Sequence, residues 1–173
     1  DKLSSSNMNW DDPKVLQRVI EERFIYSLDE SITSGDVWKN YFTPVVKGII
    51  TKDYIVQQIL PRPRDIIFFC SQALSHAINR ANTIICEEDI LQAKKNYSEH
   101  AFDSLLAELE AQIDNAELLL YEFVGMDEIV SSNQVKEIMA VVGISEDSHD
   151  KVIDLLCDYT FLGVETALEK FSF

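Results

Sequence analysis

Glycine and proline are scarce, five and four in 173 residues, so the chain is neither fibrous nor built from low-complexity linker. Cysteine is scarcer still. Cys70, Cys86 and Cys157 are odd in number, far apart and outside any CxxC pair, which points to reduced thiols and not to a disulfide framework. The three histidines, His76, His100 and His149, lie at no ligand spacing from a cysteine, so a zinc site is not expected. No apolar run reaches the roughly 18 residues of a membrane span, and residues 1–9 lack the apolar core of a signal peptide. These absences describe a cytoplasmic protein with no membrane segment.

Basic side chains are the most telling deficit. Lys and Arg total 15 against 30 Asp and Glu, a net charge of −15. Residues 1–60 carry 7 basic and 9 acidic groups, residues 61–115 carry 5 and 9, and residues 116–173 carry 3 and 12. A surface this acidic repels phosphates and makes nucleic acid an unexpected partner. Also missing is any GxxxxGK[ST] phosphate loop, since Gly35, Gly48, Gly125, Gly143 and Gly163 are scattered. No apolar strand ends in paired acids that could hold Mg²⁺. Phosphoryl transfer depends on those parts, so the chain alone is expected neither to bind ATP tightly nor to hydrolyse it.

What is present is a core-forming pattern. Apolar residues make up 46% of the chain. Asp12-Pro13 opens a helix whose apolar face carries Val15, Leu16, Val19, Ile20, Phe24 and Leu28, running to about Ser31. A short helix follows over 36–42, with Trp38, Tyr41 and Phe42 as packing residues, and Trp10 joins them as a packing aromatic rather than part of a ligand box. Pro44 and Gly48 mark a loop, and Thr51 caps a helix to about Leu60. Pro61-Arg62-Pro63-Arg64 interrupts the chain, because prolines on both sides of one residue forbid helix there. Pro63 then serves as the first residue of a buried helix to Asn79. Glu87, Glu88 and Asp89 crowd the start of another, where carboxylates suit the positive end of the helix dipole. Ser98 restarts a helix to about Gln112.

The last third changes character. It predicts helices over 116–124, from Ser131 or Ser132 to Val142, and from Ser145 over about 146–160. Strands at 161–165 and 168–173 follow. Three short helices and a hairpin are the order of a winged helix. The expected architecture is therefore mainly α: a flexible N-terminus (1–9), a helical lid bundle (10–115) and a winged-helix-like module with a C-terminal β-hairpin (116–173). The helix that would enter a DNA groove carries Asp147, Asp150, Asp154 and Asp158 with Lys151 as its single base, a pattern suited to solvent or a protein partner.

The stretch from Leu60 to Cys70, with Ala73, Leu74, Ala77 and Arg80, followed by Ile84, Glu88-Asp89-Ile90, Ala93 and Tyr97-Ser98, resembles the region after the nucleotide-binding core of bacterial P-loop ATPases. These are of the AAA and STAND-like kind, some of them encoded near defence genes. The layout is also similar to the lid of the archaeal Orc/Cdc6 initiator ATPases. Phe161-Leu162-Gly163-Val164 resembles the end of the winged helix that follows such lids. The resemblance implies a fragment of a larger ATPase whose upstream core holds ATP and magnesium, while this chain holds no cofactor or metal and no catalytic residue. It implies a sensor-2 role for Arg64 at the start of the lid helix, reaching the γ-phosphate, with Arg62 in reserve. It further implies contacts with the upstream core, with a protein partner or with further copies, a relay through the helix around Leu105 and Leu109, and a place in antiviral defence. A stand-alone helical adaptor is the alternative, and a DNA-binding regulator a more distant one.

Overall fold

The computed structural model describes residues 10–27, 33–165 and 170–172. It divides into two compact units, residues 1–100 and 101–173. The expected flexible residues 1–9 lie outside the described ones.

The first unit is helical. It contains α1 (Pro13–Ser27), α2 (Ser34–Tyr41), α3 (Thr51–Gln57), α4 (Pro63–Asn79) and the first part of α5 (Glu87–Glu110). Thr33 opens α2, its N–H and hydroxyl both donating to Asp36 Oδ2 at 3.1 and 2.6 Å. The aromatics pack as the sequence predicts. Trp38 and Phe42 rings lie 4.7 Å apart, Phe24 contacts Tyr41 and Phe42, and Trp38 Nε1 donates to Glu21 Oε1 at 2.8 Å. α4 is the central element, burying Ile66, Phe69, Cys70, Ala73 and Ala77, as the helical spacing of its apolar residues requires.

Besides α3, which takes Thr51 as its first residue and not as its cap and ends at Gln57, short of the expected Leu60, two features depart from the sequence reading. The Pro44–Gly48 loop is a hairpin, β1 (Val45–Val46) against β2 (Ile49–Ile50), paired Val45↔Ile50 and Val46↔Ile49. Its turn residues Lys47 and Gly48 have φ of 49° and 81°, the two-residue turn that matches strand twist. Strands of two residues give no alternation to detect. The second departure is at Ser98, which restarts nothing. α5 runs through it, and the Ser98 hydroxyl, instead of capping a new helix, donates to the Lys94 carbonyl at 3.0 Å, one turn back.

The second unit contains α6 (Ala116–Glu122), β3 (Ile129–Ser131), α7 (Ser132–Val141), a 3₁₀ turn (Glu146–Ser148), α8 (His149–Asp158), β4 (Gly163–Glu165) and β5 (Lys170–Ser172). The strands form an antiparallel sheet ordered β3-β5-β4, with Val130 and Val164 both paired to Phe171. Helix–strand–helix–helix–hairpin, with the first strand beside the last, is winged-helix topology. β3 is absent from the sequence reading, being three residues wedged against a helix start. Of the two serines expected to cap α7, Ser131 does so, in a reciprocal pair with Gln134, and Ser132 is the first helical residue. Gly143 ends it at φ 83°, with Ile144 N–H reaching back to the Met139 carbonyl at 2.9 Å. Ser145 opens the 3₁₀ turn, and the α-helix proper begins later, at His149. Leu109, Leu119, Leu120, Val135, Met139 and Leu156 centre the core of this unit. Leu109 is thus a core residue of the second unit.

Candidate functional site

The proline turn before α4 is the place to test the predicted arginines. Pro63 is the first helical residue, and Arg62 caps the helix in extended conformation (φ −131°, ψ 138°). The approach to this turn is pinned by Tyr97 of α5, whose hydroxyl accepts the Leu60 N–H at 3.0 Å. Tyr97 is itself buried, its ring against Phe68 and Phe69. His100 stacks on the Phe68 ring at 4.2 Å between centroids.

The adjacent residues Arg64 and Asp65 face opposite environments. The Arg64 side chain is 67% exposed, while Asp65 is only 7% exposed. Arg64 Nε approaches Asp65 Oδ1 at 3.5 Å, a rim contact worth at most about 1 kcal/mol in solvent. The other oxygen, Oδ2, is buried with no hydrogen-bond partner among the described residues. Burial pushes the Asp65 carboxyl above the ordinary carboxylate range, against the opposing pull of Arg64, Arg62 and His100.

Helix starts attract anions through free N–H groups. Here Pro63 has none, and the N–H groups of Asp65 and Ile66 donate to the Arg62 carbonyl at 3.1 and 3.4 Å. A phosphate at this turn would be met chiefly by the guanidinium groups of Arg62 and Arg64. The residues fit a phosphate edge and nothing more of a nucleotide. Among the described residues no group of three or more His, Cys, Asp or Glu is placed to hold a metal ion.

The residues from Arg80 to Asp89 that carry part of the resemblance are structural. Arg80, just past α4, sets Nη2 2.6 Å from Glu88 Oε2 and Nη1 3.3 Å from Asp89 Oδ1. Asp89 Oδ2 accepts the Cys86 N–H at 2.9 Å, so this carboxylate does more than face a helix dipole. Sequence reading placed it at a helix start and had no signal for the arginine across the α4–α5 link. Ile85 pairs with Phe42 across a parallel bridge, so the chain leading into α5 is extended at that point. The cysteines are free, and burial pushes the Cys70 thiol up to about 12, which keeps it a neutral packing group.

Sequence reasoning missed an apolar groove on the first unit. α1 and α4 line it with Ile20, Phe24, Ile67 and Leu74, and Arg23 stands at its edge; the space is about 320 Å³. Among the described residues no helix is long and apolar enough to cross a membrane.

Comparison with known families gives one match. A model of the FunZ-associated C-terminal helical domain fits residues 14–106, which takes in α1 to α4 and most of α5. No curated protein and no solved structure gives a significant match. The chain belongs to the family of FunZ-associated C-terminal helical domains.

Proposed function

We propose that this chain is the regulatory and interaction end of a larger protein, and that the larger protein is a P-loop ATPase whose nucleotide state Arg64 reads. The family description, a C-terminal helical domain, supports the first half. The observation that carries the second is the presentation of Arg64: a well-exposed guanidinium on the first turn of a 17-residue helix, behind a turn anchored by Tyr97. A sensor of this kind needs a fixed base and a free charged tip. On this reading Arg64 makes charge-assisted contacts with the γ-phosphate, Arg62 stands beside it, and Asp65 holds Arg64 until phosphate competes for it. ATP and magnesium would sit in the upstream core. This chain would supply only guanidinium groups, and its acidic winged-helix unit would meet a protein and not nucleic acid. Relay of the nucleotide state toward that unit, and a role in antiviral defence, belong to the same proposal.

The test uses the longer protein with its upstream region. Arg64→Ala should lower ATP turnover or its dependence on partner by at least about tenfold, the scale of a lost transition-state contact. Arg18→Ala, which removes an exposed arginine paired with Glu21 and Glu22, should leave both unchanged. An upstream region without a phosphate loop, or wild-type turnover in Arg64→Ala, overturns the ATPase reading.

A stand-alone interaction domain is the second reading. The bonding of the Asp65 and Ile66 N–H groups within the α4 start favours it, since that leaves less for an anion. It predicts that the 173-residue chain binds its partner equally well with and without nucleotide.

A further inference from the structure

The groove between α1 and α4 is unusual in a chain with twice as many acids as bases. Among the described residues lining it there is no carboxylate, and Arg23 is its one charge. Its floor comes from Ile20 and Phe24 on α1 and from Ile67, Cys70 and Leu74 on α4, spaced so that they line one face of each helix. The α4 row continues outward to Ile78, which is 63% exposed. From Ile67 to Ile78 this row extends about 17 Å at the helical rise. An elongated apolar surface of this kind receives an amphipathic helix, and its charge calls for one with acidic flanks.

The second unit carries such a helix. On α6 and the turn after it, Leu118, Tyr121 and Val124 are 58%, 54% and 76% exposed. Phe102 lies against Tyr121 at 5.5 Å between rings, which widens the apolar face. Glu117 and Glu122 flank it, both exposed. From Ala116 to Val124 it spans about 12 Å, short enough for the groove. Among the described residues, one surface is apolar, lined by no carboxylate and edged by an arginine; the other is apolar and edged by acids.

We propose that two copies of this chain associate head to tail, the α6 face of one seated in the α1–α4 groove of the other. Leu118 and Tyr121 fill the space between Phe24 and Leu74, and Glu117 or Glu122 meets Arg23. The contact is heterologous, since the groove and the helix are different patches, so a pair keeps one free groove, on one copy, and one free helix, on the other, for further copies. The inference stands apart from the nucleotide reading, because neither surface includes Arg62 or Arg64.

The oligomeric state of the whole chain tests this, by sedimentation at about 0.15 M salt, where long-range repulsion between acidic copies is screened. The wild type should grow in mass with concentration. Leu74→Asp, which spoils the groove, and Leu118→Asp, which spoils the helix, should each stay monomeric. Both positions are exposed, and an unchanged helical circular dichroism spectrum confirms that each variant folds. Mixing the two variants should restore a dimer and stop there, because only one intact groove and one intact helix meet. Arg23→Glu should weaken association by at least about tenfold. A wild type that remains monomeric up to about 1 mM overturns the proposal. So does association of either single variant like the wild type, or failure of the mixed pair to dimerise.

Discussion

Asp89 is clamped by Arg80: Nη1 stands 3.3 Å from Oδ1, and the other carboxylate oxygen takes the Cys86 N–H at 2.9 Å. The Asp89 side chain has no solvent exposure, while Arg80 is 44% exposed. One buried carboxylate therefore ties the end of α4, the Asn82–Cys86 link and the start of α5. Glu88 holds the same guanidinium from the solvent side at 2.6 Å.

Removing that carboxylate leaves the partly buried Cys86 N–H without its acceptor and Arg80 with Glu88 as its remaining partner. Asp89→Ala should destabilise the chain by about 2–3 kcal/mol, and Asp89→Asn by roughly half of that. Glu88→Ala, which removes an exposed partner, should cost under about 1 kcal/mol. Urea unfolding monitored by circular dichroism separates the three. Equal losses for Asp89→Ala and Glu88→Ala would show that Asp89 is no clamp.

This pair shows what the sequence makes legible. Periodicity finds the helices, because burial along α1, α4 and α8 repeats with the helical turn. Caps are readable where Ser131 or Gly143 has one job that only its own chemistry performs. The Arg62–Asp65 turn is readable because two prolines leave the backbone little choice. Three things are not legible. Two- and three-residue strands such as β1 and β3 have no period. Ser98 in mid-helix looks like a cap until its hydroxyl is seen bonded backwards. The Tyr97–Leu60 anchor and the α1–α4 groove join residues distant in the chain, and the Arg80–Asp89 pair crosses the link between two helices, so the helical period carries no record of them.

Asp65 gives a pH prediction. Burial raises its carboxyl above the unfolded value of 3.8, so the native state holds that proton more tightly than the unfolded chain does. The sign follows: this residue's contribution is most favourable below 3.8 and is lost as pH rises through the raised native value. At neutral pH the buried ionised carboxylate is a cost. Asp65→Asn should therefore equal or exceed the wild type in stability at pH 7, and the difference should narrow as pH falls toward 4. Unfolding midpoints of both proteins across that range decide it. A constant difference would mean that ionisation of Asp65 is not what burial opposes.

Ala73 tests the packing of α4. It has no exposed surface, and it sits between Phe69 and Ala77 on the buried face. Ala73→Leu adds three carbons where there is no room and should cost about 1–3 kcal/mol. Ser75→Ala, on an exposed position of the same helix, should stay within about 0.5 kcal/mol. Thermal unfolding of the two variants checks both. A tolerated leucine would mean that α4 packs more loosely than its small residues imply.

Winged-helix topology raises the question of DNA, and α8 is the helix such folds place in the major groove. Asp150, Asp154 and Asp158 recur on it every four residues, all exposed. A carboxylate facing a phosphate backbone could escape repulsion by taking up a proton, but Asp150 is held the other way. The hydrogen bond and charge of Lys136, whose Nζ lies 2.7 Å from its carboxylate, push its pKa below the ordinary range. The same contact occupies Lys136, one of the three bases after residue 115. Counterion release, which drives most non-specific DNA affinity, needs free cations on the contacting face. The chain should therefore show no sub-micromolar binding to duplex DNA at physiological salt. Replacing Asp154 and Asp158 with lysine should create weak binding that falls steeply as salt rises. Fluorescence anisotropy with a labelled duplex measures both, and tight binding by the unaltered chain would mean that another face of the molecule does the reading.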